Sequence, residues 1–175
     1  MNSYSSYQFA FFRIILGLYL VAILVYLLPY APDLLSSSSV VSPGPNLSII
    51  YYNFPNLLTW FDSRGHLELY FYLMIVCAFF FAMGLFRRTL AVVLWYLWAC
   101  IFNRNPLMNN PAISSVGWLL LASAIVPSGE GLSFFKKKDP NWRMPKPLYI
   151  CAWLVMATSY SFSGITKLSS ETWLS

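Results

Sequence analysis

The residues best placed to do chemistry stand near the end of the chain. Tyr160, Ser163, Gly164 and Lys167 recur at helical spacing, so one helix face carries two hydroxyls, a gap and an amine. No other charged residue lies between Lys146 and Lys167. Glu171 falls one turn further on, and Trp173 follows it. An ionisable group on a membrane-length apolar helix is a functional candidate. Burial at a helix junction would lower the lysine pKa and leave a neutral amine able to act as a base. Ser163 and Gly164 would let a second helix approach closely there. Glu171 would act the other way and hold Lys167 charged. The competing reading is a lysine that snorkels to the membrane interface.

A second constellation is Asn103-Arg104-Asn105-Pro106-Leu107-Met108-Asn109-Asn110-Pro111. Asparagine offers both a donor and an acceptor, and the prolines restrict the backbone. Such a loop can bind a polar head group or line a site, or it can be a rigid connection whose polar groups satisfy one another. Asp62, Arg64, His66 and Glu68 form a third polar group. Cys77, Cys100 and Cys151 all lie inside apolar runs, with no Cys-x-x-Cys pair and a single histidine. No disulfide framework and no metal or haem site is expected.

The elements that must position these residues are apolar. Of 175 residues, 58% are hydrophobic and 10% charged, and the mean hydropathy is +0.60. Soluble domains carry about 25% charged residues, so the solvent for this chain is lipid. The net charge of +5 is too diffuse to indicate a nucleic-acid partner. Five apolar segments predict an all-α polytopic membrane protein, a single domain over 1–175. They run from about Phe9 to Tyr30, His66 to Phe86, Thr89 to Phe102, Ala112 to Val126, and Pro147 to Lys167. Each is read as a crossing of a hydrocarbon core about 30 Å thick. Ala31-Pro32-Asp33 is expected to end the first segment, and Arg87-Arg88 to form a tight basic turn. The aromatic stretch from Ile49 to Phe61, broken by Pro55, suits an interfacial segment. Arg13, in the first turns of the first segment, is either an interfacial anchor or a buried partner for a polar site.

With five crossings, Arg87, Arg88, Lys136, Lys137, Lys138, Arg143 and Lys146 fall on one side, and Arg64, Arg104 and Lys167 on the other. The positive-inside rule then places the N-terminus and the lysine loop in the cytoplasm of a cell membrane. The Asn-rich loop and Lys167 face outward.

The order of motifs resembles a known family. Phe12-Arg13 and Gly17 open the first helix. Gly84-Leu85-Phe86-Arg87-Arg88 precedes the third, and the Asn-rich loop opens the fourth. Ser163-Gly164-Ile165-Thr166-Lys167-Leu168 ends the fifth. Together they look like the membrane domain of vitamin K-dependent γ-carboxylases and their bacterial relatives, the HTTM domain. The bacterial branch that matures a sporulation-delaying peptide toxin is the nearer likeness. The resemblance implies a reduced quinone of the vitamin K type as cofactor and a secreted peptide as substrate. It implies Lys167 as the base that deprotonates the hydroquinone. Asn103, Arg104, Asn109, Asn110 and Ser163 are then the candidates for contacts to quinone or substrate. It also implies an incomplete chain, because relatives continue with more helices and eukaryotic carboxylases add a large lumenal domain. The other reading is a non-enzymatic membrane protein acting in peptide export, immunity or scaffolding.

Overall fold

The computed structural model describes residues 5–37, 54–105, 108, 111–134 and 139–168. Most of the Ser-rich loop, residues 49–53 of the expected interfacial segment, Asn109, Asn110, Lys136 to Lys138, Glu171 and Trp173 lie outside the described residues. All regular structure among the described residues is helical. The helices are α1 (Ser6–Leu27), α2 (Ala31–Leu35), α3 (Arg64–Met83), α4 (Arg87–Arg104), α5 (Pro111–Ile125) and α6 (Lys146–Leu168).

Helix α1 begins at a capping box. The Ser5 side chain accepts from Tyr7 N–H, and Gln8 reaches back to the Ser5 backbone. Its buried residues Phe9, Ala10, Arg13, Leu16, Gly17, Leu20 and Leu24 recur every three or four positions, which defines the face laid against α3. Gly17 makes that approach close: a Cβ there would lie 2.6 Å from the Ala82 Cβ. Expected to stop at Ala31-Pro32-Asp33, the chain instead continues through a 3₁₀ turn (Leu28–Tyr30) into α2. Pro32 sits in the first turn of α2, where its missing N–H breaks no helical bond.

Helix α3 begins at Ser63, whose side chain caps His66 N–H. It ends at Gly84, left-handed at φ 78°, with the Leu85 N–H returning to the Phe80 carbonyl at 3.0 Å. The tight turn is therefore Gly84 to Phe86. Arg87 and Arg88, expected in that turn, are the first residues of α4. Helix α4 has 18 residues, longer than the segment read from Thr89 to Phe102, and spans about 27 Å.

The core combines Leu20, Leu24, Leu67, Phe71, Met74, Phe81, Leu94, Ile101 and Leu120. The outward faces are apolar too: Ile15, Leu69, Trp118, Trp153, Leu154 and Ile165 are all exposed. A helix in water shows a polar outer face. Among the described residues, three helical stretches are long and apolar enough to cross a membrane: Ser6–Leu35, Arg64–Met83 and Lys146–Leu168. None of the last is buried within the chain.

Candidate functional site

The polar residues gather at the two ends of the bundle. At the end reached by the C-terminus of α4, Arg104 Nη2 lies 3.1 Å from Asp62 Oδ1, and its Nε donates to the Leu35 carbonyl at 3.0 Å. The Ser37 N–H also donates to Asp62 Oδ1, at 2.7 Å. Burial pushes the Asp62 carboxyl up, but the Ser37 hydrogen bonds and the Arg104 charge outweigh it, and the pKa falls below the ordinary aspartate value. Asn105 Nδ2 donates to the Leu34 carbonyl at 2.9 Å. Asn56 Nδ2 donates to the Cys100 carbonyl at 2.9 Å, while its Oδ1 caps Leu58 N–H. Tyr96 donates to the Pro55 carbonyl. The end of α4 is thus tied to α2 and to the segment before α3, mostly through backbone carbonyls.

Asn103 differs from its neighbours. Its Oδ1 is buried and, among the described residues, has no hydrogen-bond partner. Buried polar atoms are normally satisfied, so this oxygen marks a place where a donor belongs. Of the residues expected to form a site, Asn103 and Arg104 share the last turn of α4. Asn109 and Asn110 lie outside the described residues. Ser163 is half-buried and Lys167 exposed on the last two turns of α6.

Helix α6 runs antiparallel to α5. Residues Leu119, Ala122 and Val126 border the same apolar cleft as Tyr149, Trp153 and Met156. That direction carries Lys167 toward the end of the bundle where Arg104 lies. The close helix approach expected at Ser163 and Gly164 does not occur among the described residues: nothing lies within 4 Å of where a Gly164 Cβ would be. The cleft, about 350 Å³ and lined by Phe9, Phe12 and Trp153, faces the first half of α6. A quinone ring needs apolar walls on both faces. Lys167 is exposed and nothing lies within 4 Å of where a Gly164 Cβ would be, so the described residues do not enclose that cofactor there.

The opposite end holds the tightest polar arrangement. Glu130 Oε1 lies 2.9 Å from Arg13 Nη1 and 2.7 Å from Arg87 Nε. Arg13 also donates from Nε to the Ala82 carbonyl at 3.3 Å and from Nη2 to the Leu132 carbonyl at 2.7 Å. Arg87 donates to the carbonyls of Ser123, Val126 and Pro127, and its guanidinium lies over the Phe9 ring, 5.1 Å from the centroid. Arg13 is thus a buried partner and not an interfacial anchor. Sequence reasoning missed Glu130. The available signal was scarcity: Glu130 is the one acidic residue between Glu68 and Asp139, and it sits between two glycines. Any buried arginine in that half of the bundle had few carboxylates to choose from.

No protein-family model, no curated protein and no solved structure matches the chain.

Proposed function

We propose that the chain is a multi-pass integral membrane protein with five crossings, its N-terminus in the cytoplasm and its Lys167 end outside. We further propose that the outer end modifies or matures a secreted peptide, with Lys167 as the base and Asn103 and Arg104 as polar contacts. The observation that carries this reading is the buried Asn103 Oδ1, without a hydrogen-bond partner among the described residues, at the end of the bundle toward which α6 directs Lys167. An orphaned acceptor beside an ion-paired arginine suits a polar ligand group. A reduced quinone is the cofactor that the resemblance implies. The described residues do not enclose one. Mass spectrometry of secreted peptides from cells carrying wild-type protein or Lys167→Ala tests the reading. Loss of a modified peptide is expected, with the folded protein present at wild-type level. An unchanged peptide profile would end the assignment of Lys167 as base.

One observation favours a second reading, a non-enzymatic membrane protein of export, immunity or scaffolding. The whole of α6 lacks a buried residue, as a helix awaiting a partner would. On that reading Lys167→Arg is silent and organic extraction of the purified protein yields no quinone.

A further inference from the structure

Beside the Glu130 cluster lies a cavity of about 700 Å³, within the size range of sites for small ligands. Its wall includes Arg87, Arg88, Thr89, Ser128, Glu130 and Ser133. The carboxylate does not make the site acidic, because Arg13 and Arg87 both contact it. With Arg88 beside them, three arginines stand against one glutamate. Arg87 is fully occupied by Glu130 and three carbonyls. Arg88 is not. Its Nε is pinned to the Ala124 carbonyl at 2.9 Å, and its two terminal nitrogens have no partner among the described residues. A guanidinium fixed at one nitrogen and open at the other two is prepared for bidentate contact with a phosphate. The first turn of α4 adds to this field, since Phe86 at its N-cap supplies no side-chain hydrogen bond.

The cavity's depth identifies which phosphate. It lies where α3 ends and α4 begins, at the limit of the apolar bundle. Phe86 is 75% exposed and Phe134 74% exposed, and the Phe134 N–H donates to the Met83 carbonyl at 3.2 Å, which holds it beside the same turn. Bare phenyl rings flanking a cationic cavity are unfavourable in water and well accommodated at the level of lipid headgroups. Basic sites between helices at this depth suit anionic lipids.

We infer that the Arg88 cavity is a binding site for the phosphate of an anionic phospholipid, with Arg88 as the principal contact and Ser128 and Thr89 as hydroxyl donors. The inference rests on the membrane placement of the bundle and is independent of any chemistry at Lys167. Flotation with phosphatidylcholine vesicles tests the placement separately; protein that does not float overturns both. The site itself is tested on detergent-purified full chain by titrating phosphatidylglycerol, phosphatidylcholine or inorganic phosphate and reading binding by native mass spectrometry. Phosphatidylglycerol is expected to bind preferentially, and Arg88→Gln to weaken it about tenfold. Arg143→Gln, which removes an exposed charge from the same connecting region, should leave binding unchanged. Equal affinity for phosphatidylcholine, or an equal loss in the two variants, overturns the specific site. So does inorganic phosphate binding as tightly as the lipid, since the occupant would then be a soluble ion.

Discussion

At one end of the bundle Glu130 holds two arginines whose side chains are 0% and 3% exposed. At the other, Asp62 is 30% exposed and holds one arginine that is 16% exposed. The residue types are nearly the same, yet the two arrangements do different work. A carboxylate shared by two buried guanidinium groups cannot be removed without stranding both charges. A half-exposed pair can be replaced by water, and its mutual attraction is screened. Burial therefore makes the first end a lock between α1, α4 and the loop after α5. It leaves the second as a clasp that can open to water.

The comparison is broken most directly at Glu130. Glu130→Ala should destabilise the protein by about 3–5 kcal/mol, measured by thermal unfolding in detergent. Glu130→Gln keeps the shape and an acceptor oxygen but removes the charge, and should be nearly as damaging. Wild-type stability in Glu130→Gln would mean that the carbonyls of Ala82, Leu132, Ser123, Val126 and Pro127 hold the arginines unaided.

This asymmetry was only partly legible in the sequence. The apolar segments were readable because they are long, uniformly apolar and punctuated by Gly and Pro. The segment read as 147–167 is the helix Lys146–Leu168, and the one read as 112–126 is Pro111–Ile125. The role of Arg87 was not readable, because a basic pair before an apolar run suits a turn as well as a helix start. Only the left-handed geometry at Gly84 and Phe86 decides between them. The lock was invisible for a different reason. Arg13 and Glu130 lie 117 positions apart, so no local spacing connects them. On the other end, Asn103 and Arg104 stood out as polar residues, but the partners of Arg104 are Leu35 and Asp62, across a long loop. Lys167 was legible as the lone charge late in its apolar segment, and its exposure was not.

Gly84 offers a smaller disturbance of the same lock. Its φ of 78° is left-handed, and a Cβ there would lie 2.5 Å from Arg13 Nη1. Gly84→Ala should cost about 1–3 kcal/mol through backbone strain and displacement of the guanidinium. If the displacement matters, the cost combined with Glu130→Ala should be less than additive, since Arg13 is already released. Strict additivity in the double variant would assign the whole effect to the backbone.

The smallest effect belongs to the clasp. Asp62→Asn should cost about 0.2–1 kcal/mol, the range of partly exposed ion pairs, because Asn keeps an acceptor for the Ser37 N–H while losing the charge opposite Arg104. Its signature is in pH. The Asp62 pKa is lower folded than unfolded, so the native state favours the ionised carboxylate. The stability it contributes is complete above the unfolded value of about 3.9. It is lost as pH falls through the lower folded value, where the proton binds in both states. Melting temperatures measured from neutral pH down through that window should therefore fall more steeply for wild type than for Asp62→Asn, and the two should converge in acid. Parallel curves would show that Asp62 carries no linked proton, and that Arg104 is held by the Leu35 carbonyl and not by charge.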